Sequence, residues 1–287
     1  MGDCGTAADH TIANSSAINP VSPPASEAIS VLVTGFGPFK SNAVNASHLI
    51  AASLPSSITL PSKGPSAAGD APREILINAH PEPIPVSYAS VRTELPVILE
   101  DYARKHNGRR PDLIIHIGIA STRRYYSVET QAHRDNYQIT DIHGKLGFEA
   151  GEKLWKEQGL PDVLKPGPAK TSDEAGNAAS PAVSTQIRPY PPDDHFLKTW
   201  KSFAPPETDI RISEDAGRYL CEFIFYSSLA RALQEGRDRA AVFFHVPSST
   251  DEESLETGRQ VAIALIKAMV TCWIDEAQQS QQPRQST

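Results

Sequence analysis

Three residues that could carry out covalent chemistry lie far apart in the chain. Cys221 lies in SEDAGRYLCEFIFYSSLARAL, His245 is near the end of the apolar run AAVFFHV, and Glu129 lies in YYSVETQ. A nucleophilic cysteine needs a base that takes its proton, and histidine titrates in the right range. A carboxylate on that histidine would hold its tautomer and stabilise its charged form. Cysteine-dependent hydrolysis is therefore open to this chain if the fold brings the three together.

Each of these residues also has a plainer interpretation, which stays open at this point. The neighbours of Cys221 are apolar almost all round, as expected for a buried cysteine that packs as a small hydrophobe. His245 could simply cap a strand end, and Glu129 could be one solvated acid among many. Against the first interpretation, Ser213, Asp215 and Gly217 indicate the approach to a helix start. Cys221 would then lie in the first turns, where N–H groups and the helix dipole stabilise a thiolate.

The elements that must position these residues alternate between strands and helices. His245 is at the carboxyl end of its predicted strand, where open α/β sheets place reactive groups. The alternation predicts an α/β fold, a three-layer α/β/α sandwich around a mainly parallel mixed sheet. The predicted strands are 29–34, 74–78, 113–119 and 240–246, with 125–132 extended, and the predicted helices are 45–54, 91–104, 215–234 and 255–276.

A single domain is predicted from 29 to 277, with a tail at each end. Residues 1–28 are small, polar and rich in Pro and Ser, and residues 278–287 are rich in Gln, so both tails are predicted to be disordered. Residues 160–209 are rich in Pro, Asp, Lys and Ser and have no apolar period until Trp200. A loop of this length is functional or disordered, and we predict a flexible insertion.

Composition excludes several classes of function. A net charge of −7 without a cluster of Lys and Arg argues against nucleic-acid binding, and the pair Arg123-Arg124 is interpreted as surface charge. The sequence has no apolar run of the roughly 18 residues that a membrane span needs. Besides Cys221 there are only Cys4 and Cys272, without a metal-binding spacing. We therefore expect no disulfide framework and no metal, and a cytoplasmic location.

Five sequence blocks together resemble the pyroglutamyl-peptidase I family of omega cysteine peptidases. They occur in the family's order and cover most of residues 30–275. The blocks are VLVTGFGPFKSNAVNAS (31–47), RPDLIIHIGIAS (110–121), SVETQAHRDNY (127–137), SEDAGRYLCEFIFY (213–226) and VFFHVPS (242–248).

The resemblance implies the function and the site. It implies a cysteine peptidase that hydrolyses the amide bond after an N-terminal pyroglutamyl residue of peptides, without a cofactor or metal. The family's catalytic cysteine, histidine and glutamate match Cys221, His245 and Glu129. The resemblance also implies a pyroglutamate pocket built partly by a pair of phenylalanines, and Phe36 and Phe39 match that pair. The family's asparagine after this turn matches Asn45, as a further substrate-binding residue.

The chain departs from the family pattern at several positions. Lys40-Ser41 replaces a Gly-Gly, Ile119 replaces a glutamine of the pocket, and Glu222 replaces the asparagine that follows the nucleophile. The family's oxyanion arginine aligns near Gln138, and Arg134 is the nearest cation. Arg134 is therefore the candidate oxyanion donor, which it could be only through a turn near residues 132–133, because an extended chain would point it away from Glu129.

These departures leave two alternatives to a pyroglutamyl peptidase. One is a cysteine hydrolase for another small amide or blocked N-terminus, since Ile119 and Glu222 alter the pocket. The other is a non-catalytic relative that binds peptides or partners, against which the presence of all three triad residue types argues. Whether copies of the chain form a homo-oligomer stays open.

Overall fold

The computed structural model describes residues 28–39, 42–61, 72–169 and 187–275. Within them, apolar runs rich in β-branched residues form two sheets, one of seven strands and one of two short strands. The strands are β1 Ile29–Gly35, β2 Ser57–Leu60, β3 Arg73–Ala79, β4 Leu113–Ile119, β5 Tyr126–Glu129, β6 Ala132–His133, β7 Val163–Leu164, β8 Ile210–Ser213 and β9 Ala241–Val246.

The central sheet has four parallel strands in its middle and reversed strands toward its edges. Its order is β2-β3-β1-β4-β9-β5-β8. Strands β3, β1, β4 and β9 are mutually parallel, while β2 is antiparallel to β3 and β5 is antiparallel to β9. β6 pairs with β7 outside this sheet. The carboxyl ends of β4 and β9 therefore lie next to each other at one edge, where the start of β5 joins them.

Helices cover both faces of the sheet, because its central strands are apolar on both sides. The helices are α1 Ala46–Ser53, α2 Tyr88–Lys105, α3 Lys153–Glu157, α4 Asp194–Phe203, α5 Leu220–Gln234 and α6 Glu252–Val270; π-helical turns at Phe148–Glu152 and Thr271–Asp275 precede α3 and follow α6. One face of the sheet packs against α1, α4 and α6, and the opposite face packs against α2, α3 and α5. The predicted α/β class and mainly parallel mixed sheet are confirmed.

The prediction of a flexible insertion at 160–209 is wrong for part of that range. Residues 194–203 form α4, whose Phe196 and Trp200 are fully buried beside α6, and Trp200 Nε1 donates to the carbonyl of Val261 at 3.2 Å. Two aromatic side chains one helical turn apart supply the apolar face that the polar composition concealed. The predicted tails, apart from Ala28, and the middle of the insertion lie outside the described residues. No helix in the described ranges is long and apolar enough to cross a membrane.

A buried polar chain crosses the face of the sheet that carries α5. His116 on β4 is fully buried, with Nδ1 2.7 Å from Thr34 Oγ1 and Nε2 2.7 Å from Ser228 Oγ on α5. Each ring nitrogen thus has a hydroxyl that can donate or accept, as a neutral imidazole requires. Burial lowers the pKa of His116 to about 3.

This histidine predicts a pH dependence of stability. The unfolded chain takes up a proton near the ordinary histidine pKa, whereas the folded chain takes it up only near pH 3, so the contribution of His116 is complete above about pH 6.5 and is lost as the pH falls toward 3. Between these values the free energy of unfolding should fall by up to about 1.4 kcal/mol per pH unit from this residue. Urea unfolding at pH 7, 6 and 5 measures the slope; an equal slope in His116→Gln would contradict the assignment.

Candidate active site

The antiparallel pairing of β5 with β9 brings Glu129 and His245 to the same face of the sheet. The register pairs Ser127 with His245 and Glu129 with Phe243, so Glu129 is the diagonal neighbour of His245. Glu129 Oε1 lies 2.7 Å from His245 Nδ1, and both side chains are almost completely buried. A short buried contact between carboxylate and imidazole fixes the ring and assigns the Nδ1 proton to this contact.

A cation also contacts this carboxylate. Arg123, in the loop between β4 and β5, places Nη1 3.0 Å from Glu129 Oε1 and 2.8 Å from Ser127 Oγ. Burial by itself raises the pKa of Glu129, yet the hydrogen bonds from His245 and Arg123 outweigh burial and hold that pKa below its usual value. Glu129 is therefore a carboxylate at neutral pH.

Cys221 is the second residue of α5, as the predicted helix start requires. Its sulfur lies against the backbone of Gly118 on β4: a Cβ built on that glycine would be 3.0 Å from Sγ and 2.5 Å from the ring of Phe243. Gly118 is also the register partner of His245 on the neighbouring strand. The absence of a side chain at Gly118 thus lets the start of α5, with Cys221, approach the sheet beside His245.

The expected effect of the helix start on the thiol is reversed by its surroundings. Burial raises the pKa of Cys221 to about 12, and the negative charges of Glu129 and Glu222 act in the same direction. The cysteine's own backbone N–H and the charge of Arg123 lower that pKa but do not outweigh burial. The free protein therefore holds Cys221 as a neutral thiol.

Glu222, which replaces the family's asparagine, holds the loop that leads into α5. Its carboxylate is fully buried and accepts from the backbone N–H of Arg218 at 3.1 Å, from the Arg218 guanidinium at 2.9 Å and from His133 at 2.7 Å. Arg218 has a left-handed backbone (φ 44°), which is uncommon for a long side chain, and Gly217 before it has φ 91°. These hydrogen bonds stabilise the tight turn at Gly217 and Arg218, which ends three residues before Cys221.

The two predicted pocket phenylalanines have different surroundings. Phe36 is 4% exposed and belongs to the core on the α5 face. Phe39 is half-buried, with its ring centroid 5.3 Å from that of Tyr219, whose ring also meets the edge of Tyr88 at 5.9 Å. Tyr219 precedes Cys221 by two residues, so Phe39 and Tyr219 form an aromatic wall near the thiol. Tyr219 is not among the residues predicted from the sequence, although its position two residues before the candidate nucleophile Cys221 was a usable signal.

Asn45 and Arg134 are engaged elsewhere in the fold. Asn45 caps α1, accepts from Ser47 and donates to the carbonyl of Gly37 at 2.8 Å, so it holds the GFGPF turn rather than projecting free polar groups. Arg134 follows β6, and its guanidinium donates to Asp135, to the carbonyl of Leu160 and to Asp162. The assignment of Arg134 as an oxyanion donor is corrected accordingly, because its guanidinium binds the segment at residues 160–162.

A cysteine at a helix start, packed against the register partner of a histidine whose Nδ1 meets a buried carboxylate, fits the arrangement of a cysteine hydrolase. No family model matches the chain. The chain is 30% identical to pyroglutamyl-peptidase 1 of Rattus norvegicus over 217 residues, covering 76% of this chain and 78% of the relative. It is 25% identical to the pyrrolidone-carboxylate peptidase of Pyrococcus furiosus over 76% of this chain and 80% of the relative.

The solved structures agree with these relatives at the level of the fold. The pyrrolidone carboxyl peptidase of Thermococcus litoralis superposes with a TM-score of 0.57 at 20% identity, over 90% of this chain and 99% of that one. The chain belongs to the pyroglutamyl-peptidase I family of cysteine peptidases. The resemblance inferred from the five sequence blocks is thereby confirmed.

The different burial of the two phenylalanines predicts different effects of the same substitution. Phe39→Ala removes a half-exposed aromatic surface and should raise KM for a pyroglutamyl amide by roughly tenfold or more, with little loss of stability. Phe36→Ala empties a core position and should lower the free energy of unfolding by about 3–5 kcal/mol. Steady-state kinetics and urea unfolding of both variants distinguish the two; a wild-type KM for Phe39→Ala would remove it from the pocket.

The contacts of Arg134 predict a structural rather than a kinetic effect. Arg134→Ala removes the donors to Asp162 and Leu160 and should lower the free energy of unfolding by about 1–3 kcal/mol. The value of kcat with a pyroglutamyl amide should stay within about twofold of wild type. Loss of an oxyanion donor would instead lower kcat by about 10²–10³. A loss of that larger size in a folded variant would return Arg134 to the oxyanion.

Proposed function

We propose that this chain hydrolyses the amide bond after an N-terminal pyroglutamyl residue, with Cys221 as nucleophile, His245 as base and acid, and Glu129 as the group that orients His245. The observation that carries these roles is the 2.7 Å contact between His245 Nδ1 and buried Glu129. Cys221 Sγ lies against Gly118, the register partner of that histidine. Membership of the family supports the reaction class.

The state of each group determines the order of proton transfers. Because Glu129 is ionised and accepts a hydrogen bond from the Nδ1–H group, Nε2 of His245 is the nitrogen that can accept a proton. Because the pKa of Cys221 is raised, the thiol keeps its proton until substrate arrives. Nε2 takes this proton as sulfur attacks the pyroglutamyl carbonyl, and the resulting imidazolium is stabilised by Glu129.

Collapse of the tetrahedral intermediate breaks the amide bond. His245 returns its proton to the leaving amine, and the pyroglutamyl group stays on Cys221 as a thioester. Water, deprotonated by His245, then hydrolyses the thioester and regenerates the thiol. The negative oxygen of each intermediate needs donors, and the backbone N–H of Cys221 lies in the first turn of α5, where helix N–H groups have no intrahelical acceptor.

The aromatic wall suits the acyl group. A pyrrolidone ring is small, neutral and mostly apolar, with a lactam N–H and C=O at its edge. Phe39 and Tyr219 can cover its face. Ile119, which stands where the family pattern has a polar pocket residue, packs instead with the core on the opposite face of the sheet. N-terminally pyroglutamyl peptides are therefore the proposed substrates.

The cytoplasmic location and assembly into a homo-oligomer stay predictions.

The proposal is tested by release of a fluorophore from a pyroglutamyl amide. The wild-type protein should release it, and Cys221→Ala and His245→Gln should each lower kcat by at least about 10³-fold. Cys272→Ala is the matched control, because Cys272 is buried in the core on the other face of the sheet. Iodoacetamide should inactivate Cys272→Ala. Cys221→Ala should have almost no activity before treatment and should show no further loss after it.

Two results would overturn the proposal. An inactive wild-type protein that cleaves a different blocked aminoacyl amide from a panel would point to another small-amide hydrolase. A folded protein that binds pyroglutamyl peptides yet cleaves no member of the panel would be a non-catalytic relative.

A further inference from the structure

Arg123 joins three segments that must meet at the candidate active site. It lies in the loop after β4, and its Nη1 is 3.0 Å from Glu129 Oε1 on β5. Its Nη2 is 3.0 Å from the carbonyl of Asp215, in the loop before α5. The two nitrogens of one planar guanidinium thus connect the carboxylate that contacts His245 with the approach to Cys221.

The surroundings of Arg123 hold this guanidinium in one place. Nη1 also donates to Ser127 Oγ at 2.8 Å, and the side chain is only 22% exposed. The guanidinium carbon lies 5.7 Å from the ring centroid of Tyr125, near enough for a cation–π contact. A guanidinium stays charged at every working pH, so Arg123 places a permanent positive charge next to Glu129.

That charge has a definite effect on proton binding nearby. A fixed cation disfavours proton binding at every neighbouring group, and it acts on Glu129 by a hydrogen bond and on Cys221 through space. It opposes the two carboxylates, Glu129 and Glu222, whose charges disfavour the thiolate. Arg123 therefore counters part of the electrostatic cost of forming a thiolate in a buried, acidic site.

We propose that Arg123 is a positioning residue for the reaction: it anchors Glu129 to the loop before the nucleophile and sets the pH range in which the Cys221–His245 pair works. The inference rests on the proposed function. On sequence alone, Arg123 is interpreted as surface charge together with Arg124. The structure separates them, since Arg124 is exposed and makes no ion pair with the described residues.

The experiment compares Arg123→Gln, Arg123→Lys and the control Arg124→Gln in the full-length protein, with kcat/KM for a pyroglutamyl amide measured from pH 5 to 10. Arg123→Gln should lower kcat/KM by roughly 10- to 100-fold, as expected for a lost charged hydrogen bond. The low-pH limb of its profile should move to higher pH by about half a unit to one unit, because removing a cation favours proton binding.

The other two variants separate charge from geometry. Arg123→Lys should keep the low-pH limb near its wild-type position but lose rate, since one ammonium group cannot bind Glu129 and the carbonyl of Asp215 together as a guanidinium does. Arg124→Gln should match wild type in rate and profile. If Arg123→Gln does not fold, Arg123→Lys decides alone: an unchanged rate overturns the inference.

A substrate-independent measurement keeps this inference separate from the proposed function. The rate of Cys221 alkylation by iodoacetamide, followed by mass spectrometry at fixed pH between 8 and 10, reports the small thiolate fraction without any peptidase activity, because this range lies below the raised pKa of the thiol. Loss of the cation should lower that rate by roughly 3- to 10-fold in Arg123→Gln, as a pKa raised by half a unit to one unit requires. An inactive wild type sinks the proposed function alone, whereas a lower kcat/KM with an unmoved low-pH limb and an unchanged alkylation rate reduces Arg123 to a structural role and overturns the inference.

Discussion

The site depends on one contact, the buried hydrogen bond between Glu129 and His245. It exists because β5 runs antiparallel to β9 within an otherwise mainly parallel sheet. A one-residue slip in that pairing would turn Glu129 to the opposite face and leave a buried carboxylate without its partner. The register of two strands is thus as much a part of the catalytic arrangement as the residues themselves.

Cys221 lies at a helix start that is held from several sides and packs against the strand next to His245. Gly118 leaves space on β4 for the sulfur, and Glu222 holds the turn at Arg218 just before the helix. Arg123 connects the same loop to Glu129 from the other side. The loop before α5 is held by polar contacts at Asp215 and Arg218, because a loop so short and polar cannot be held by apolar packing of its own.

The charges of the site are arranged around a neutral thiol. Two buried carboxylates lie near Cys221, each with cationic or imidazole partners, and burial favours the protonated sulfur. A thiol that loses its proton only as it attacks is protected from unproductive alkylation and oxidation in the absence of substrate, since the thiolate is the reactive form. In the proposed mechanism, the same arrangement makes proton transfer to His245 the central step.

The sequence by itself determined the buried strand Leu113–Ile119, the nucleophile helix and the order of the five family blocks, because apolar periods and short motifs are local properties. The tertiary structure alone decided that β5 is antiparallel, that Trp200 is buried on α4, and that Arg123 rather than Arg134 contacts the site. These features depend on partners far along the chain, as the 116 residues between Glu129 and His245 illustrate. Local composition describes a residue's own preference, whereas such contacts arise only when distant strands meet in one sheet.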